Sequence, residues 1–138
     1  MGLKKLGITS ELLAATDHIQ YRVMITAIKV YWLLQDKWQT DSFEDLCEPC
    51  AKELAIALCN EGHEDVTLVY SNEWKYPHAF IYCERLFIDI SAGQFNNSPC
   101  IFILPYEEYD PNKIELQWKV SSYQEVNITY GSEINVGD

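Results

Sequence analysis

Residues 46–62 read LCEPCAKELAIALCNEG, and this segment is the central helix of the predicted fold. Its apolar residues fall on one face, so the helix should be largely buried. Pro49 lacks an N–H and is tolerated only in a first turn, so we place the helix start close to Pro49. Gly62 suits the left-handed position that follows many helices, and we place the end there. The residues of the shared face are Cys47, Cys50/Ala51, Leu54, Ala55 and Leu58.

Upstream of this stretch the sequence is also helical. Apolar residues recur at helical spacing from Leu12 to Leu34, which is typical of a packing helix. Ser10 and Thr16-Asp17 are both candidate N-caps, which predicts two helices meeting near Thr16. Residues 42–45 (SFED) resemble a capping box before the main helix.

From residue 65 onward the pattern changes to short runs rich in β-branched and aromatic residues, which are typical of strands. Helices followed by strands predict an α+β fold, in which N-terminal helices, including the central one, pack on an antiparallel sheet. A length of 138 residues fits a single domain, 1–138. The expected strands are 65–70, 78–83, 86–91, 100–105 and a run within 116–123, with 127–130 as a last edge strand.

Composition and net charge limit the classes of partner and the compartment that we expect for this protein. A net charge of −11 argues against nucleic acid, which requires clustered Lys and Arg, and favours a basic protein partner or substrate. No apolar run is long enough to span a membrane, and the first residues contain no recognisable signal peptide. Five cysteines suit free thiols in a reducing compartment, so we expect a cytoplasmic protein. Export by a specialised secretion system would leave no recognisable signal.

Three residues point to chemistry: Cys47 at the start of a helix, His78 at the start of a strand and Asp89 on the next strand. A thiol needs a base to become a thiolate, and the base needs a carboxylate that orients it and stabilises its charge. If Glu84-Arg85 form a two-residue turn, His78 and Asp89 become diagonal neighbours on one sheet face. The trio therefore predicts a cysteine-nucleophile site for acyl transfer.

Other interpretations remain open. A cysteine in a buried helix is usually a small hydrophobe. If the helix starts at Pro49, Cys50 is better placed than Cys47 and is the alternate nucleophile. Zinc is not favoured, because Cys50 and Cys59 on one straight helix would lie roughly 13–14 Å apart. A redox Cys-x-x-Cys motif is not favoured either, because a βαβ context is missing. We predict neither metal nor cofactor.

Several segments resemble the papain-like and transglutaminase-like cysteine enzymes, especially small bacterial members and toxin-associated papain-fold domains. Residues 47–62 resemble the family's nucleophile helix, and Thr67-Leu-Val its following strand. His78-Ala-Phe80 and Ile88-Asp-Ile-Ser91 resemble its histidine and aspartate strands, with Gln94-Phe95 following. The resemblance covers residues 43–96. Phe80 stands where tryptophan is usual, and Pro49 is atypical.

The resemblance implies a hydrolase or acyltransferase that acts on amide bonds as a peptidase, deamidase or transglutaminase. Cys47 would be the nucleophile, His78 the base and then the acid, and Asp89 the orienting carboxylate. An upstream side chain, Gln35 or Gln39, would complete the oxyanion hole.

Three residues are candidates for substrate binding: Trp74 and Tyr76 in the loop before His78, and Gln94. The expected substrate is a protein or peptide. The alternative is a non-enzymatic, acidic binding protein of the inhibitor or immunity type that meets a basic partner.

Overall fold

Four helices precede an antiparallel sheet in the computed structural model, which describes residues 3–40, 42–73, 75–129 and 133–136. The chain is therefore α+β, as the sequence predicts. Across the sheet the strand order is β4-β3-β2-β1-β5-β6. The helices are α1 (Leu3–Leu6), α2 (Ser10–Ala14), α3 (His18–Trp38) and α4 (Cys47–Asn60); the strands are β1 (Thr67–Ser71), β2 (His78–Cys83), β3 (Leu86–Asp89), β4 (Phe102–Pro105), β5 (Ser122–Thr129) and β6 (Glu133–Val136).

Helices α2 and α3 meet near Thr16, where the candidate capping residues predict a junction. Asp17 caps α3 in a capping box, since its carboxylate accepts the Gln20 N–H at 2.8 Å and the Gln20 side chain accepts the Asp17 N–H at 3.0 Å. The cap of α2 is Thr9, one residue before the predicted Ser10. Thr9 Oγ1 reaches the Leu12 N–H at 3.1 Å, which a side chain at the first helical position could not do.

The start of α4 differs from the expectation. The helix begins at Cys47, two residues before Pro49, and the predicted capping box at residues 42–45 does not form. Leu46 is the N-cap and makes no side-chain cap bond. Pro49 is tolerated as the third helical residue, because the N–H it lacks would have no partner within the helix.

The end of α4 is where the sequence predicts it. Gly62 has φ of +97°, the left-handed region. Its N–H donates to the Cys59 carbonyl at 3.0 Å, and the His63 N–H donates to the Leu58 carbonyl at 3.2 Å. These two bonds form a Schellman motif, which satisfies the last carbonyls of the helix.

The β2–β3 hairpin confirms the predicted register. Glu84 and Arg85 both have positive φ, at 51° and 62°, and Cys83 pairs with Leu86. Neither residue is glycine, so the turn needs outside support. The Asp65 carboxylate accepts the Glu84 N–H at 3.1 Å, and the Gln20 side-chain amide donates to the Glu84 carbonyl at 2.9 Å.

The two strands predicted after residue 115 were partly wrong. Residues 116–118 form a 3₁₀ turn instead of starting a strand, and β5 runs from Ser122 to Thr129. The predicted edge strand at 127–130 falls within β5 up to Thr129, and residue 130 lies outside the described residues. Since β5 pairs with β1 on one side and β6 on the other, it is not an edge.

The sheet has an aliphatic face and an aromatic face. Helices α3 and α4 cover the first with residues such as Met24, Leu54 and Leu58. Phe80, Phe87 and Trp118 form the core of the second. Within the described part of the chain, no helix combines the length and apolar character needed to cross a bilayer.

Candidate active site

His78 and Asp89 form a buried pair at the end of the sheet where β2 begins and β3 ends. The Nε2 atom of His78 lies 2.7 Å from Oδ2 of Asp89, and the two residues are only 3% and 2% exposed. An ionised carboxylate can only accept hydrogen bonds, so Nε2 donates. The predicted diagonal contact is therefore formed.

Four donors converge on the Asp89 carboxylate. Besides His78, the Trp118 indole N–H donates to Oδ2 at 2.6 Å. The N–H and the hydroxyl of Ser91 donate to Oδ1 at 2.9 and 2.7 Å. Burial raises the pKa of Asp89, but the His78 charge and these hydrogen bonds outweigh it and lower the pKa below the ordinary aspartate value. Asp89 is thus a stable buried anion.

Sequence reasoning missed three of these donors, which belong to Ser91 and Trp118. The Asp-x-Ser spacing is typical of a local turn in which the aspartate accepts from the residue two positions on, so Ser91 could have been found. Trp118 carried no such signal, because it lies 29 residues from Asp89 along the chain.

Cys47 completes the cluster from the first position of α4. Its half-buried thiol lies close enough to the His78 ring and to the Ala79 backbone N–H for both to lower its pKa. Because Nε2 of His78 faces Asp89, Nδ1 is the ring nitrogen left for the sulfur. The structure thus brings all three predicted residues together.

The electrostatics favour a charged pair of sulfur and imidazole. Burial raises the pKa of the Cys47 thiol, but the hydrogen bonds from His78 and the Ala79 N–H and the His78 charge lower it below the ordinary value. Burial would lower the pKa of His78, yet the Asp89 charge and hydrogen bond, followed by the contact with Cys47, raise it to about 9. The imidazolium form is therefore favoured at neutral pH.

Cys50, the alternate nucleophile, is on the buried face of α4. It is 1% exposed and packs in the core between α4 and the sheet. Burial, followed by the negative charges of Asp89 and Cys47, raises the pKa of its thiol well above the ordinary range. Of the two thiols, Cys47 is the more accessible, and its pKa is lowered where that of Cys50 is raised. Among the described residues, no group of three or more His, Cys, Asp or Glu side chains is placed to hold a metal ion.

The start of α4 offers donors for an oxyanion. The first N–H groups of a helix have no partner within it, and no side chain caps this end. The Cys47 N–H lies at the nucleophile itself. The two glutamines expected to help are bonded within α3 and at its end: the Gln35 amide donates to the Tyr31 hydroxyl at 3.0 Å and the Gln39 amide to the Asp36 carbonyl at 2.6 Å.

The predicted substrate-binding residues have different outcomes. Trp74 lies outside the described residues. Tyr76 is 67% exposed in the segment just before His78, where a substrate could reach it. Gln94 donates to the Ser91 carbonyl at 3.1 Å and so braces the segment behind Asp89. Phe95, which follows it, packs edge-on against His78 with ring centroids 5.0 Å apart.

A scan against protein-family models matches no family, and searches of the curated proteins and of the solved structures find no match. The functional argument therefore depends on the geometry of Cys47, His78 and Asp89.

Proposed function

We propose that this chain is a cysteine hydrolase or acyltransferase of the papain-like or transglutaminase-like type that acts on amide bonds of proteins or peptides. One observation carries the proposal: the Cys47 thiol, at the open start of α4, contacts a buried His78 that is itself bonded to Asp89. A nucleophile, a base and an orienting carboxylate in this order are the parts that covalent acyl transfer requires.

The reaction would begin with attack of the Cys47 thiolate on the carbonyl carbon of the amide. The N–H groups at the start of α4 would stabilise the oxyanion that forms, since they point at developing negative charge. His78 would donate its proton to the leaving amine, which departs and leaves a thioester on Cys47. His78 would then deprotonate water or an acceptor amine, which releases the acyl group.

Asp89 keeps the imidazole oriented throughout these steps. It is a permanently charged acceptor for Nε2 and is itself held by Trp118 and Ser91. Nδ1 of His78 is then free to exchange its proton with sulfur, amine and water in turn.

The surroundings favour a basic substrate with an apolar side chain near the reacting bond. Glu48 directly follows the nucleophile and is exposed, with Lys52 paired to it at 2.9 Å, so the negative charge that favours a basic substrate is mainly the net −11 of the whole chain. Tyr76 and Leu116 are exposed apolar side chains at this end of the molecule. The Leu116 carbonyl accepts from Ser71, the residue paired with His78.

The first experiment measures thiol reactivity. Iodoacetamide at about pH 6 should modify Cys47 of the folded protein first, because only a thiolate reacts appreciably there. In a His78→Ala variant the rate should fall about tenfold or more, as the thiol regains an ordinary pKa. Cys59 is a matched control: it is also half-buried, but burial raises the pKa of its thiol. A Cys59→Ala variant should react like the wild type.

The second experiment tests acyl transfer. p-Nitrophenyl acetate should leave one acetyl group on the intact protein, located at Cys47 by peptide mass spectrometry, with turnover lost in Cys47→Ala and kept in Cys59→Ala. If acetyl appears with equal yield in folded Cys47→Ala, the proposed nucleophile is wrong. A Cys47 that stays inert to both reagents until unfolding would instead favour the non-enzymatic binding protein.

A further inference from the structure

The structure changes the interpretation of the Cys-x-x-Cys motif, which the sequence alone did not favour as a redox pair. Cys47 and Cys50 are one helical turn apart in the first turn of α4. Residues three apart on a helix have Cα atoms about 5 Å apart, inside the roughly 4.4–6.8 Å range of disulfides. We infer that Cys50 is the resolving thiol for an oxidised Cys47, so that hydroperoxides convert the site reversibly into a Cys47–Cys50 disulfide.

The two thiols have complementary properties. Cys47 is half-buried, so a small peroxide can reach it, and its contacts with His78 and the Ala79 N–H favour the thiolate that peroxides oxidise. Cys50 is 1% exposed, and burial raises the pKa of its thiol, so it is shielded from direct attack by peroxide. The negative charge of Cys47, which also raises that pKa, is absent once Cys47 is a sulfenic acid. No step of acyl transfer uses Cys50, so the proposed function leaves this thiol without a role.

The chemistry balances with a hydroperoxide as oxidant. The Cys47 thiolate attacks one peroxide oxygen, which forms a sulfenic acid on Cys47 and, with one proton, releases water or an alcohol. The Cys50 sulfur then attacks the Cys47 sulfur, the S–O bond breaks, and the departing hydroxide leaves as water with the proton of the Cys50 thiol. Each disulfide formed consumes one peroxide and two thiol hydrogens. An external dithiol reverses the change by exchange.

The start of the helix permits the bridge. Side chains three apart on a helix have Cβ atoms about 5–6 Å apart, so the turn must tighten by roughly 1–2 Å to reach disulfide geometry. No side-chain cap bond holds this end, and Pro49, between the two cysteines, has no N–H whose hydrogen bond could be lost. The backbone hydrogen bond of this turn is that of the Cys50 N–H to the Leu46 carbonyl at 2.9 Å, and closing the bridge must keep it or lengthen it.

The consequence is protection of the nucleophile. A Cys47 sulfur held in a disulfide cannot attack a carbonyl, yet it is also kept from the irreversible sulfinic and sulfonic acids. The inference depends on a reactive Cys47 thiolate and not on which acyl substrate the site accepts.

The test treats the folded protein with hydrogen peroxide at neutral pH, then blocks free thiols with iodoacetamide and digests with trypsin. Cleavage after Lys37 and Lys52 leaves residues 38–52 as one peptide, whose only cysteines are Cys47 and Cys50. We expect this peptide to lose two hydrogens and to carry no alkyl group. Dithiothreitol should then restore nearly all of the alkylation of Cys47.

A Cys50→Ala variant should instead accumulate sulfenic acid at Cys47, detected as a dimedone adduct, and then sulfinic acid that dithiothreitol cannot reverse. Cys59→Ala, the matched control, should behave as the wild type. The inference is wrong if wild-type Cys47 is oxidised to sulfinic acid while Cys50 remains alkylatable after unfolding, or if peroxide leaves Cys47 unchanged. Disulfide formation without acetyl transfer would support this inference and contradict the proposed function.

Discussion

Asp89 shows how a single buried charge organises its neighbourhood. Removing a carboxylate from water is costly unless donors replace the lost hydration. Here His78, Trp118 and Ser91 supply those donors from three different segments. The carboxylate therefore links β3 to the start of β2 and to the 3₁₀ turn at residues 116–118. The contacts that orient the histidine also hold these segments together.

Replacing Trp118 by Phe separates the hydrogen bond from the packing of the ring. Trp118 stacks on Phe102 with centroids 4.2 Å apart, and phenylalanine keeps an aromatic ring at this place. We expect a loss of about 1.5–3 kcal/mol of unfolding free energy, the range for a hydrogen bond to a charged group. Urea denaturation measures it.

Trp38→Phe is the control for the loss of ring volume, because Trp38 is half-buried, packs against the aliphatic core and meets Phe43 edge-on. A loss in Trp118→Phe no larger than in Trp38→Phe would contradict the role given to the indole N–H.

At the scale of elements, α4 sets the site through both of its ends. Its start places Cys47 against β2, and the Schellman motif at its end turns the chain toward β1. The hairpin after β2 then returns β3 in the register that sets Asp89 diagonal to His78. A slip of one residue would move Asp89 to the aliphatic face.

Two glycines with nearly the same φ provide a matched pair of variants. Gly62 has φ of +97° and nothing within 4 Å of an added Cβ, whereas Gly7 has φ of +98° and a Cβ there would lie 1.9 Å from the Ile101 carbonyl oxygen. Gly62→Ala should cost about 1–2 kcal/mol from the left-handed backbone alone. Gly7→Ala should cost about 1–3 kcal/mol more, because of the clash.

The additional loss of unfolding free energy expected for Gly7→Ala comes from the packing of the N-terminal segment. There the Ile101 N–H donates to the Leu6 carbonyl at 2.9 Å, so α1 is held against the chain just before β4. Equal unfolding free energies for the two variants would show that this close approach does not matter to stability.

At the scale of the molecule, the buried pair links stability to pH. The pKa of His78 is raised to about 9. Its contribution to the free energy of unfolding is therefore complete below about pH 6.5 and is lost as the pH rises through about 9. The pKa of Asp89 is lowered, so its contribution is complete above about pH 4 and is lost as the pH falls. Together they favour the folded state most between these limits.

The prediction is best tested in a Cys47→Ala background, which removes the thiolate's own titration. Unfolding free energy should decline as the pH rises above about 6.5. The decline should be smaller than the roughly 3 kcal/mol that a shift of the His78 pKa to about 9 corresponds to, because Cys47 contributes to that shift. Adding Asp89→Asn should flatten this decline, because the Asp89 charge is the main contribution that raises the pKa of His78. Parallel curves for the two proteins would show that the pair is not coupled to folding.

Features that depend on residues close together in the chain were predictable from the sequence alone. The α+β order, the capping of α3 by Asp17, the end of α4 at Gly62 and the register between Cys83 and Leu86 all follow from patterns within a few residues. Because register places side chains on a face, the pairing of His78 with Asp89 was predictable too.

The difference between Cys47 and Cys50 depends on tertiary contacts. Pro49 permits a helix start on either side of it, whereas the neighbourhood of His78 and Ala79 lowers the pKa of the Cys47 thiol and burial raises that of Cys50. The same holds for Trp118, whose bond to Asp89 spans 29 residues and requires a 3₁₀ turn where local propensity favours a strand. Contacts between residues distant in the chain depend on packing, and packing overrides local preference.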